Sequence, residues 1–315
     1  MILMVEIDDR KVIAVALEVY GGFSKDRAVR ISGYFDDLEE FLNVTEDQLF
    51  NIRTPSNRKI LDKNDIDNII NTARAGIFNK GYTTLEIYIY IISSKYVNNW
   101  IKIVNGLKLE DLNINPLLVT SLNLNTPNEL IRFSVYASAI RSIVTSMGYL
   151  VENFLLATSK DVEEPEKTWD IIKTDQNGKK HYIQVKSGPN DMDYDQIRTW
   201  AKEIENVEKE GNKGYIGITY GKRDNKTVTF SLLEQYLKDW ENKTLIGREL
   251  WEFLSGDKNF IDRVISTLRK VALDILKTKD MITVIESSIE RITRDFIEKF
   301  GDGADGVKKF IDSII

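Results

Sequence analysis

The chain has no cysteine and, among its 315 residues, a single histidine, His181. The first absence excludes disulfides, thiolate nucleophiles and thiolate metal sites together. The second excludes zinc sites built on two or more histidines and leaves Ser-His-Asp catalysis only one residue to run through. Phosphate-binding loops are lacking too: there is no G-x-x-x-x-G-K-[ST], and no G-x-G-x-x-G follows a strand, so nucleotide-driven work is not expected. No apolar run approaches the roughly 20 residues a membrane span needs. The opening MILMVEIDDRKV lacks the pattern of a secretory signal, with acids arriving by Glu6, and the expectation is a cytoplasmic protein. Chemistry is left to carboxylates, amides, lysine and hydroxyls.

What is present describes an ordinary globular chain, 42% hydrophobic with a mean hydropathy of -0.27, long enough for one large or two ordinary domains. The 43 basic and 49 acidic residues leave a net charge of -6, which argues against a broad, nonspecific nucleic-acid binder but not against a cleft with a locally basic lining. Lys179, Lys180, Lys222, Arg223 and Lys226 are the candidates for such a lining, with solvated turns as their plain alternative.

The pattern of apolar residues sorts the chain into three stretches: a mainly helical 1–125, a mixed 126–240 and a helical 241–315. In the first, Asp62 or Asn64 is placed to cap the helix DIDNIINTARAGIF. The alternation of short helices and turns around it is similar to helix-hairpin-helix units, with TPSN standing where their glycine-rich hairpin would be. LEIYIYIISSKY, 85–96, has the density of a buried strand or a core helix, and its length does not decide between them. Residues 128–157 predict a long helix whose one stripe carries Arg141, Thr145, Gly148 and Glu152. A glycine in mid-helix costs about 1 kcal/mol relative to alanine, so either a close packing contact or an approaching ligand should need the space at Gly148. Beyond a charged loop, DVEEPEK, the segment TWDIIKTDQNGKKHYIQVKS reads as a β-hairpin. A helix capped by Asn190 or Asp191 and stopped by Gly211 follows it. GYIGITYG, 214–221, is then a core strand, and TVTFSLL, 227–233, reads as another.

The hairpin's register decides which side chains meet. A two-residue type I′ turn at Asn177-Gly178 would set Asp170 opposite Val185, whereas a type I turn over DQNG with Gly178 in the bulge sets it opposite Gln184. Asp at the first position, Asn at the third and Gly at the fourth suit the second arrangement. Side chains alternate along a strand, so Tyr182, Gln184 and Lys186 share one face, and Asp170, Gln184 and Lys186 converge. A carboxylate and an amide carbonyl are hard oxygen ligands suited to Mg²⁺, and a lysine beside them can orient a water and stabilise the charge of a pentacovalent phosphoryl transition state. Glu152, on the preceding helix, can add a ligand. His181 falls on the other face, where a structural or DNA-backbone role fits it better than catalysis. Trp200 and Trp251 sit at apolar helical positions and read as core.

Asp170, the triplet Gln184-Val185-Lys186, the preceding helix RSIVTSMGYLVE ending in Glu152 and the continuation SGPN resemble the PD-(D/E)XK nucleases, and within them the type II restriction endonucleases. The resemblance covers roughly residues 136–232. It implies an α/β (α+β) fold, a restriction-endonuclease-like core with a mixed central β-sheet flanked by helices. The catalytic core would be 126–240, with 1–125 and 241–315 serving recognition and dimerisation. It also implies catalytic roles for Asp170, Gln184, Lys186 and Glu152, with metal held by Asp170, Gln184 and Glu152, Mg²⁺ as cofactor, double-stranded DNA as substrate and a homodimer acting within restriction-modification. Ser187 and Asn190 are placed to touch the scissile strand, helix capping being the alternative for Asn190. Lys222 and Arg223 are further DNA-binding candidates. Two residues depart from the pattern: Trp169 stands in the loosely kept proline position, and Gln184 replaces the usual acid, leaving the site one charge poorer. A structure-specific repair nuclease or junction resolvase, and an inactive DNA-binding protein with the nuclease fold, are the alternative readings.

Overall fold

The computed structural model describes residues 7–53, 59–165, 168–224, 227–277 and 280–315. The segment TPSN, 54–57, and Lys226 lie outside these residues. The chain divides into two compact units, each of discontinuous segments: 1–93 with 148–269, and 94–147 with 270–315. The units are discontinuous because three helices, Thr84–Gly106, Pro127–Leu156 and Phe260–Leu276, each contribute to both.

The first unit begins with α1 (Asp9–Val19), α2 (Lys25–Ser32), α3 (Leu38–Leu42), α4 (Glu46–Phe50) and α5 (Lys63–Ala73). The starts of α1, α3, α4 and α5 are set by side chains that satisfy the free amides of a first turn. Asp62 caps α5 in a reciprocal box with Asp65, and Thr45 does so with Gln48 in α4. The stretch 85–96 is helical, part of α6 (Thr84–Gly106). Leu85, Tyr88, Ile89, Ile91 and Ile92 are all buried, so the helix is apolar nearly all round and its sequence shows no clear stripe. After α7 (Pro116–Ser121) comes α8 (Pro127–Leu156), the long helix expected from 128–157.

The sheet follows within the first unit: β1 (Val162–Glu163), β2 (Ile171–Thr174), β3 (Lys180–Lys186), α9 (Tyr194–Lys209), β4 (Lys213–Ile218), α10 (Val228–Tyr236) and β5 (Thr244–Ile246). Among the described residues the strands lie in the order β1-β2-β3-β4-β5. The β1/β2 and β2/β3 pairs are antiparallel, while β3/β4 and β4/β5 are parallel, with α9 and α10 as the crossovers. This is the mixed sheet flanked by helices expected of the α/β class. The hairpin adopts the bulged register, with Ile171 opposite Ile183 and Lys173 opposite His181. Gly178 N–H donates to Asp175 O at 2.9 Å, and Gly178 takes a φ of 77°, which glycine tolerates.

Four expectations fail locally. TVTFSLL is not a strand but the start of α10: Thr227 accepts from Phe230 N–H, and Thr229, Phe230 and Leu233 are buried at helical spacing. The helical tail from residue 234 is interrupted by β5, and the DVEEPEK loop contributes β1. The cap of α9 is Asp193, not Asn190 or Asp191, because Asp191 Oδ2 is already accepting Gly188 N–H at 2.6 Å.

Gly214 and Gly217 let helices approach the sheet: a Cβ at Gly214 would lie 2.9 Å from Ile204 of α9, and one at Gly217 would lie 2.9 Å from Ile183 of β3 and 3.0 Å from Leu250. Leu250 belongs to α11 (Arg248–Ser255), which is followed by α12 (Phe260–Leu276). The core beneath β3 and β4 gathers Trp169, Ile197, Ile204, Ile216, Ile218 and Leu233. Trp251 is buried with its indole N–H on Thr219 O, and the half-buried Trp200 packs at a tilt against Trp169, so both pack into the core as expected. The second unit packs the N-terminal part of α8 with α13 (Met281–Phe300) and α14 (Gly303–Ile314) around Leu130, Val135, Ile289, Ile292, Phe296 and Phe310. Among the described residues no helix is long and apolar enough to cross a membrane.

Candidate active site

Asp170 enters β2 from a tightly fixed approach. Thr168 holds a φ of 69°, which costs a β-branched residue energy, and the buried ring of Trp169 packs on Tyr182 and Trp200. The tryptophan in the proline position therefore anchors the chain just before the carboxylate. Asp170 N–H then donates to Ile183 O, continuing the hairpin ladder, and the side chain turns toward β3. Its Oδ2 accepts from Val185 N–H at 2.7 Å and from Gln184 Nε2 at 2.5 Å. The predicted encounter of Asp170 with Gln184 is thus present. Lys186 ends the same strand, with its charge felt at Asp170. Glu152 comes from the last turns of α8, close enough to Asp170 to feel its charge.

Both carboxyls hold their protons above the usual carboxylate range. Burial is the main cause for Asp170, opposed by the Val185 amide, the Lys186 charge and the Gln184 amide. For Glu152 burial again leads, followed by the negative charges of Asp170 and Glu164. Gln184 is 7% exposed, and while its Nε2 is spent on Asp170, its Oε1 is buried without a partner. A buried acceptor left unpaired is costly, and carboxylates, which have no proton to donate once ionised, do not relieve it. A divalent cation fits this set: an orphaned amide oxygen, two carboxyls disfavoured as anions, all hard oxygen donors. Among the described residues no three His, Cys, Asp or Glu side chains come together as a metal site.

The remaining candidates are placed differently from one another. Ser187 is exposed beside α8, its Oγ 3.8 Å from where a Cβ on Gly148 would stand. Asn190 and Lys222 are exposed. Arg223 is not free: its guanidinium is held by Glu249 at 2.6 Å and by the Thr244 carbonyl at 2.6 Å. His181 lies between Tyr215 and Phe253, with Nε2 3.3 Å from Asp175, so it is a packing residue of the hairpin. Two residues near the site were not singled out in the sequence. Glu164 adds its charge to Glu152, and Gln196 of α9 accepts from Lys186 Nζ. No motif spacing marks either one; both are brought in by where β1 and α9 end up.

Among curated proteins none matches the chain. A family model does: that of the type II restriction endonuclease EcoO109I matches residues 83–275, more than half of the sequence. The matched span contains all of α6 and α8, the whole sheet, and Glu152, Asp170, Gln184 and Lys186. The chain belongs to the EcoO109I family of type II restriction endonucleases.

Proposed function

We propose that this restriction endonuclease hydrolyses phosphodiester bonds at a specific sequence in double-stranded DNA, with Mg²⁺ as cofactor and as a homodimer in the cytoplasm. Family membership makes it a DNA nuclease. The finer reading is carried by the orphaned Oε1 of Gln184 beside the two carboxyls. Asp170, Gln184 and Glu152 would hold the metal, which when bound lowers the pKa of a water and screens the scissile phosphate. The chain's own groups do the rest. Val185 N–H and Gln184 Nε2 fix one oxygen of Asp170, so its other oxygen has a defined direction. Lys186 supplies an ammonium that orients the attacking water and stabilises charge developing on the phosphoryl oxygens. Ser187 and Asn190, exposed just beyond it, are placed to meet the backbone of the cut strand.

The test is incubation of the purified protein with phage or plasmid DNA in Mg²⁺ and in EDTA, beside Lys186→Ala. Discrete fragments that need Mg²⁺ and vanish in the variant are expected. A smear would favour a nonspecific or structure-directed nuclease. Intact DNA from folded protein, in Mn²⁺ as well, would leave an inert DNA-binding protein.

A further inference from the structure

An ammonium has three donors and no acceptor, so the acceptors around it decide where it points. Lys186 Nζ donates to Gln196 Oε1 at 3.5 Å, a contact across the turn that joins β3 to α9. The competing acceptor is the Asp170 carboxylate, on which the Lys186 charge acts. A charge-assisted bond to it would be stronger, but it would consume the negative charge a cation needs and withdraw the lysine from the water it serves. An acceptor outside that site takes one N–H without drawing on this charge and leaves two donors free. We propose that Gln196 is the positioning residue of Lys186, holding the ammonium off the Asp170 carboxylate and toward the attacking water.

The backbone of Gln196 is itself fixed in place. Its backbone N–H is capped by Asp193 Oδ1 at 2.9 Å, which starts α9 at this point. The turn before it is tied down at three places: Gly188 N–H donates to Asp191 Oδ2 at 2.6 Å, Thr219 Oγ1 donates to Ser187 O at 2.6 Å, and the Tyr220 hydroxyl covers Gly188 where a Cβ would stand. Residues 187–193 are therefore held, and they return the first turn of α9 to the side of Lys186. The inference rests on Lys186 acting on the attacking water.

Gln196→Leu, Gln196→Glu and Lys186→Ala are compared with the wild type on DNA that the wild type cuts. The readouts are the single-turnover cleavage rate at saturating enzyme, DNA affinity in EDTA, and thermal midpoint. Gln196→Leu is expected to slow cleavage by about 10- to 100-fold, the usual cost of losing a group that orients a catalytic side chain. DNA affinity and midpoint should stay at wild-type values. Gln196→Glu keeps an acceptor at the same reach and should return the rate to within a few-fold of wild type. A wild-type rate in Gln196→Leu beside an inactive Lys186→Ala would overturn the positioning role and leave the lysine's role standing. Wild-type cleavage by Lys186→Ala would instead bring down the active-site reading, and this inference with it. Loss of DNA affinity or midpoint in step with the rate, or a Gln196→Glu as slow as the leucine variant, would also overturn it.

Discussion

Glu152 and Asp170 bind their protons more tightly in the folded chain than in the unfolded one, burial being the first cause for both. A carboxyl whose folded pKa is raised adds stability below its ordinary range of roughly 4, and that stability is lost as pH rises through the raised value. Metal-free wild type should therefore lose ground to Glu152→Gln as pH climbs above about 4, while Mg²⁺ restores the wild type and not the variant. Denaturation midpoints of the pair across that range, in EDTA and in Mg²⁺, check it. A constant difference would mean that Glu152 is not held under this electrostatic load. The same residues make Gln184→Glu informative. It supplies the missing charge but removes the amide that donates to Asp170, placing one carboxylate against another. The metal-free protein should become less stable, and the Mg²⁺ concentration for half-maximal cleavage should fall by about tenfold, the scale of a 1.4 kcal/mol gain. An unchanged Mg²⁺ requirement would remove Gln184 from the ligand set.

At the scale of elements, Gly148 is the clearest case of a residue whose sequence context and surroundings differ. Mid-helix glycine suggested that something presses on α8, yet a Cβ there would meet only Ser187 Oγ, at an ordinary 3.8 Å. Gly148→Ala should accordingly stabilise the protein by about 0.5–1 kcal/mol in a denaturant titration. If the cut strand runs along this face of α8 beside Ser187, the same variant should bind DNA less tightly; a stabilised protein with unchanged affinity would place the backbone elsewhere. Asp193→Ala removes the α9 cap and should cost about 1 kcal/mol. The sequence was most legible where short-range chemistry decides. Asp175, Asn177 and Gly178 dictated the bulged turn, and the turn put Asp170 against Gln184. It was least legible where tertiary contacts choose: β5 has three residues, too few for periodicity, and β-branched 227–233 is held as a helix by the Thr227 cap and the burial of its 229-230-233 side. Asp191 was spent on Gly188, which left the capping of α9 to Asp193.

For the whole molecule, a net charge of -6 and a polyanionic substrate mean that DNA is held through a local surface and not by overall attraction. Within one chain the described residues present one set of Asp170, Gln184, Lys186 and Glu152, while a double-strand cut needs two phosphodiester bonds broken on strands of opposite direction. A two-fold pair of chains supplies two such sites in the orientation a palindromic duplex requires. Sedimentation should then give twice the 36.3 kDa of the chain. Mixing provides the sharper measurement. Wild type and a large excess of Lys186→Ala, exchanged into mixed pairs, should convert supercoiled plasmid to the nicked circle, because each pair retains one working site on one strand. Linear product formed at the rate expected from the wild-type chains alone would show that a single chain cuts both strands in turn. The homodimer would then be set aside, with the chemistry of Lys186 untouched.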